Sequence, residues 1–158
     1  MGDLTGTQHG DAANGLLAFY EDESKKLEAV GSYFMAAIAL GLALEAAVLT
    51  YLLFEWGEDN GGELKVPDSV AFRDLIEAAK ELDLLSAPAE VPPGLAGDVE
   101  APKHLAQDVV DEGRELRNRI HPARALRDSS NPALFSAGDL QDFKAKYWSV
   151  VYSLLYNL

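Results

Sequence analysis

Five of the six arginines in this chain fall between Arg114 and Arg127, where Glu115 is the lone acid, so a local charge of +4 sits inside a chain of net charge −13. The five are Arg114, Arg117, Arg119, Arg124 and Arg127. A guanidinium presents a planar fork of donors that matches phosphate or carboxylate, which makes the strip a candidate anion site. A basic strip that only pairs with neighbouring Asp and Glu would have the same sequence and bind nothing. Within it, Arg114, Arg117 and His121 stand at i, i+3 and i+7 and share one face of a continuous helix. That face borders Leu116 and Ile120, which places the charges at the core margin, where screening is weaker. His121, with an unperturbed pKa of about 6.5, is the side chain suited to proton transfer near neutrality. The plainer reading is a set of cations favoured by the dipole at a helix C-terminus.

The strip has a counterpart in Glu45, which stands near the middle of an otherwise apolar run from Val30 to Trp56. A carboxylate there requires a hydrogen-bonded or charged partner. Arg117, Asn118 or Arg114 is the expected donor, and such a bond would pack two helices together. The run is long enough to cross a bilayer at about 1.5 Å per residue. However, an ionised carboxylate at a bilayer centre costs on the order of 3 kcal/mol, and neither flank carries a Lys/Arg bias. Ala36, Ala37, Ala39, Gly41, Ala43, Ala46 and Ala47 would add little burial energy to a span. The run reads as a central core helix, and no membrane is expected as a partner.

The elements that must position these groups all read as helices. Residues 11–28 carry Leu16, Leu17, Phe19 and Tyr20 ahead of the polar run EDESKK, which predicts a short amphipathic helix or an extension of the central one. The stretch GEDNGGE at 57–63 predicts the end of the central helix and a turn. Phe72, Leu75, Ile76, Ala79, Leu82 and Leu85 recur at three and four, predicting a helix that follows Pro67-Asp68-Ser69 and stops near Ser86. The proline-rich residues 87–102 read as a loop. Leu105, Val109, Gly113, Leu116 and Ile120 form the next stripe, which Pro122 interrupts or ends. Ser136 with Asp139 has the form of a capping box before a final helix bearing Leu140, Phe143, Tyr147, Val151 and Leu154. No alternating pattern predicts a strand. The expected fold class is all-α, an antiparallel bundle of four or five helices, with residues 1–10 a flexible N-terminus and 11–158 a single domain.

Composition narrows the function classes. A chain of 158 residues supports one core and excludes a multidomain enzyme. Its 48% apolar and 25% charged residues match the globular balance and exclude a disordered chain. The net charge of −13 opposes broad adhesion to nucleic acid or anionic lipid, so a polyanion must find a local basic patch. The absence of cysteine removes thiolate catalysis, disulfides and Cys-based metal sites, and it fits a reducing compartment. Met1 to Asp11 lacks the basic and apolar regions of a secretion signal, and Gly6 stands where a myristoylation signal needs Ser or Thr, so a cytoplasmic location is expected. His9 and His104 lack spaced partners for a metal. Asp108, Asp111 and Glu112 read as a solvated helix face, and Trp56, Phe143, Tyr147 and Trp148 as core or interface. With no Gly-rich phosphate loop and no nucleophile elbow, neither a cofactor nor a metal is expected.

The segments YFMAAIALGLALEAAVL, RDLIEAAKELDLL and ELRNRIHPAR together resemble the HEPN superfamily (higher eukaryotes and prokaryotes nucleotide-binding domains). The likeness spans roughly residues 24–158, as a pattern of helices. It implies a compact helical bundle that commonly dimerises through its motif-bearing helices. Many members are metal-independent ribonucleases of defence and toxin–antitoxin systems; others are inactive scaffolds or nucleotide-binding modules. In active members an Arg, usually followed by a polar residue, precedes a His by four to six intervening residues. Arg117 followed by Asn118 leaves three before His121, and Arg114 followed by Glu115 leaves six, so either Arg fits the role in part. The RN-x-x-HP form also occurs in members with no assigned activity.

Two functions follow. In the first, the chain binds RNA or cuts it without metal, with RNA or a nucleotide held on the Arg114–Arg127 patch. Cleavage by the 2′-hydroxyl needs a base, an acid and cations for the charge building on phosphorus. His121 would serve as general acid/base, Arg117 or Arg114 would bind the scissile phosphate, and Asn118 would orient them. A two-fold homodimer would present the motif twice across one interface. In the second, the chain is a catalytically inactive helical module for dimerisation or for binding a protein partner, and the Arg–His segment is a structural clamp on Glu45.

Overall fold

The computed structural model describes residues 2–56, 65–82, 85, 88–89, 104–127 and 131–155. Within the terminus expected to be flexible, residues 2–10 carry regular structure. Strand β1 (Asp3–Leu4) pairs antiparallel with β2 (Val66–Pro67), Leu4 opposite Val66. Helix α1 (Gly6–Ala29) starts directly after Thr5, whose hydroxyl accepts from the Gln8 N–H at 3.4 Å. The Thr5 N–H donates to His9 Nδ1 at 3.0 Å, which gives this histidine a capping role. Such anchoring comes from pairing across 60-odd residues, and a short polar terminus has no periodicity that would announce it.

α1 is neither short nor continuous with the next helix. Gly31 takes φ +78°, a left-handed value that suits glycine, and the N–H groups of Gly31 and Ser32 donate back to the carbonyls of Glu28 and Leu27. The chain therefore reverses into α2 (Tyr33–Tyr51), which continues into a π-helical turn at Leu52–Trp56. α1 and α2 form an antiparallel helical hairpin, and the buried Ser24 hydroxyl crosses it to the Ala36 carbonyl at 2.9 Å.

A helix that is apolar on every side has to be surrounded. α2 lies against α1, α3 (Phe72–Glu81), α4 (Ala106–Asn118) and α6 (Ala137–Leu155). Its small residues let these neighbours come close, and Ala36, Ala37, Ala43, Leu44 and Ala47 lose all contact with solvent. Tyr33–Phe54 is long and apolar enough to cross a membrane, yet most of it is buried inside this fold, where it serves as the core helix.

α3 buries Phe72, Leu75, Ile76 and Ala79, as its spacing predicts, but it ends at Glu81; Leu85 is buried outside the helix, and Ser86 lies outside the described residues. The predicted turn at 57–63 and most of the predicted loop at 87–102 also lie outside them. α4 buries Val109, Val110, Gly113 and Leu116, whereas Ile120 is exposed because the helix stops at Asn118. A separate short helix, α5 (Pro122–Arg127), follows, and then a 3-10 turn at Pro132–Leu134. The capping box before α6 forms as expected: the Ser136 N–H donates to Asp139 Oδ2 at 2.8 Å and the Asp139 N–H to Ser136 Oγ at 3.1 Å.

The fold class is an all-α bundle, with six helices among the described residues. The four strands among the described residues, which no sequence pattern predicts, are two-residue clips: β1 with β2, and β3 (Pro88–Ala89) with β4 (His104–Leu105). Pairs this short leave no alternation to detect.

Candidate functional site

The site is set by a close approach of two helices. A Cβ placed on Gly41 of α2 would lie 2.8 Å from the Gly113 carbonyl oxygen of α4 and 3.8 Å from the Arg117 Cβ. Arg117 therefore leaves α4 alongside Gly41, and its guanidinium reaches the carboxylate one turn further along α2. The Arg117 Nη1 donates to Glu45 Oε2, the pairing expected from the sequence with Arg117 as the donor of the three candidates. The guanidinium also sits 5.8 Å from the centre of the Phe72 ring, so α2, α3 and α4 meet at this one side chain. Glu45 keeps 26% of its side-chain surface and Arg117 34%, which places the pair at the core margin. Burial pushes the Glu45 carboxyl above its ordinary value, and the Arg117 charge and hydrogen bond oppose that shift without cancelling it.

Arg114, one turn earlier, does not join this pair. Its Nη2 donates to Glu115 Oε1 at 3.2 Å, while Arg124 of α5 donates to Glu115 Oε2 at 2.7 Å. The lone acid of the strip thus holds two of its arginines and ties α5 back onto α4. On its other side Arg114 lines a groove between α3 and α4 with Arg73, Lys80 and Asp111, where Lys80 bonds Asp111 at 3.2 Å. Arg119 turns toward α6, and its Nε is buried without an acceptor among the described residues.

His121 departs from the expected arrangement. The helix that carries Arg114 and Arg117 ends at Asn118, and the N–H groups of Ile120 and His121 make tight turns back to the carbonyls of Arg117 and Asn118. Pro122 is the cause, because its ring disfavours helical dihedrals at the residue before it. His121 then opens α5, its carbonyl accepting from the Ala125 N–H at 3.0 Å. The i, i+7 relation that would put His121 on the face of Arg114 and Arg117 does not apply beyond the break. Its imidazole is exposed and forms no hydrogen bond or ion pair with the described residues; the same holds for the half-buried Asn118 side chain.

Of the candidates, then, the fold joins Glu45 to Arg117, bonds Arg114 to Glu115, and leaves His121 in solvent. Three contributors carried weak sequence signals. Gly41 and Gly113 were legible as small positions on two stripes, although nothing local says that they face each other. Phe72 read as core, and its use beneath a guanidinium depends on how α3 is placed. Among the described residues no group of three or more His, Asp or Glu is arranged to hold a metal ion. Chemically, the arrangement offers one guanidinium held from two sides and one solvated imidazole. In comparisons with known proteins, the chain matches no family model, no curated protein and no solved structure.

Proposed function

We propose that this chain is a HEPN-like helical module that works by holding a protein partner, with Arg117 of its Arg–His segment acting as a structural clamp on Glu45. The observation that carries this reading is the engagement of Arg117 by both Glu45 and Phe72. A phosphate-binding arginine has to be free to receive its ligand, and here the donors face a carboxylate of the same chain. Arg114 and Arg124 are likewise engaged by Glu115, which lowers the effective charge of the strip. The net charge of −13 works in the same direction by repelling RNA.

The test is an RNA-cleavage assay in chelator, on single-stranded RNA, with the wild type, His121→Ala and Arg117→Ala. The expected result is no cleavage by any of them, wild-type stability for His121→Ala and reduced stability for Arg117→Ala. Metal-independent cleavage by the wild type that His121→Ala abolishes would overturn the reading.

That outcome would support the second reading, a metal-independent ribonuclease, which the exposed and unbonded imidazole of His121 favours. His121 would then be the general acid/base, the partly exposed edge of Arg117 (or Arg114) would meet the phosphate, and Asn118 would orient them.

A further inference from the structure

A hollow between the end of α4 and the start of α6 lies apart from the Glu45–Arg117 pair. It encloses about 370 Å³, and Leu116, Phe135 and Phe143 give it an apolar lining. Through Arg119, Phe135 and Asp139, which line both, it continues into a second hollow of about 190 Å³ walled by Phe34 and Leu134. The Phe34 and Phe135 rings meet edge to face at 5.8 Å and brace the shared wall, while Leu134 stands 77% exposed beside it. The result is one groove with an aromatic floor.

Its charges are unevenly satisfied. Lys146 bonds Glu112 at 3.1 Å, and Arg124 bonds Glu115 at 2.7 Å. Asp142 has no ion-pair partner among the described residues, and exposed Asp139 is engaged by the α6 cap alone. Arg119 lines both hollows yet makes no ion pair with any described residue, and its Nε lacks an acceptor. An apolar floor with unpaired acids at the rim complements a ligand that is apolar in the middle and cationic at the ends. The chain's charge of −13 draws the same kind of ligand from a distance.

We propose that this groove is a docking site for a peptide segment of a partner protein that carries Lys or Arg on either side of a large apolar residue. The apolar side chain rests on Phe135 and Phe143, the cations meet Asp142 and Asp139, and a backbone carbonyl of the peptide accepts from the Arg119 guanidinium. This rests on the reading of the chain as a partner-holding module and names the chemistry of the partner.

The probe is a short fluorescein-labelled peptide with lysines flanking a leucine pair, titrated with the full chain at physiological ionic strength and followed by anisotropy. Comparison peptides carry the lysines without the leucines, or glutamates in place of the lysines. Asp142→Lys and Leu134→Asp alter the groove; Asp22→Lys and Leu16→Asp make the same changes on exposed positions of α1. The expected result is saturable binding of the lysine–leucine peptide, weakened about tenfold or more by each groove variant and held within about twofold by each control. Absent saturable binding, equal losses in groove and control variants, or equal binding of the leucine-free peptide would each overturn the proposal. If the peptide fails while the wild type leaves RNA intact, the groove assignment falls and the module reading stands; His121-dependent RNA cleavage sinks that reading whatever the peptide does.

Discussion

Gly41 and Gly113 stand where two helices approach so closely that neither position has room for a side chain: a Cβ on Gly113 would fall 2.7 Å from Leu44 Cδ1, and one on Gly41 2.8 Å from the Gly113 carbonyl oxygen. The two clashes differ in kind. Leu44 Cδ1 is the tip of a side chain that can rotate, whereas a carbonyl oxygen moves only with its helix. Gly41→Ala should therefore destabilise by about 1–3 kcal/mol despite the helix propensity it gains. Gly113→Ala should cost less than half as much. Urea unfolding of both variants gives the comparison, and equal losses would contradict this account of the crossing.

The Glu45–Arg117 pair gives stability a pH dependence of defined sign. Glu45 titrates above its ordinary value near 4.5 in the fold, because burial outweighs the pull of Arg117. The folded state thus holds the proton more tightly than the unfolded chain, and the stabilisation is present below pH 4.5 and lost as pH rises through the folded value. Arg117→Ala removes the group that limits the shift. It should cost about 1–3 kcal/mol at pH 7 and clearly less at about pH 4, where the carboxyl is protonated. An identical loss at both pH values, measured by chemical unfolding, would refute the coupling.

Glu28 behaves in the opposite sense. The hydrogen bond from Lys144, at 2.8 Å, is the largest influence and holds the Glu28 carboxyl below its ordinary value. Its stabilisation is present above pH 4.5 and lost as pH falls through the folded value. Both side chains are partly exposed, so Lys144→Ala should cost only about 0.5–1 kcal/mol at pH 7 and nothing measurable near pH 2. Thermal unfolding of Lys144→Ala against Glu28→Gln at both pH values checks it, and a loss that persists in acid would count against the ion pair.

Tyr147 is fully buried, and its hydroxyl reaches Glu21 Oε1 on α1 at 2.5 Å. Tyr147→Phe keeps the ring, including its edge-to-face contact with Trp148, and removes the hydroxyl that bonds Glu21. A hydrogen bond to a carboxylate of this kind supports a loss of about 1–2 kcal/mol. A shift in the unfolding free energy below about 0.3 kcal/mol would mean that the bond contributes nothing net.

Much of the scaffold could be read directly from residue order. The apolar spacing from Phe72 to Ala79, the Ser136–Asp139 cap and the apolar face of α6 are governed by contacts within one or two turns, so their residue types announce them. The demand of Glu45 for a donor was equally legible, because a carboxylate in an apolar run requires one wherever the fold places it. The identity of the donor was not. That Arg117 rather than Arg114 or Asn118 meets Glu45 follows from where α2 and α4 cross, at Gly41 and Gly113, and a crossing is a relation between faces far apart in the chain.

Where His121 ended up shows the same division from the other side. Pro122 gave notice that the helix would be interrupted or ended, and Asn118 is where it ends, but spacing alone carried the helical face through to 121. Likewise the pairing of Asp3–Leu4 with Val66–Pro67, the reach of Glu21 and Glu28 to α6, and the groove around Arg119 all depend on long-range neighbours. Residue order announced most of the helical segments and the need of Glu45 for a partner, because those are local matters of periodicity and desolvation. Tertiary packing alone chose the partners, because only the assembled bundle brings one helix's side chains within a few ångströms of another's.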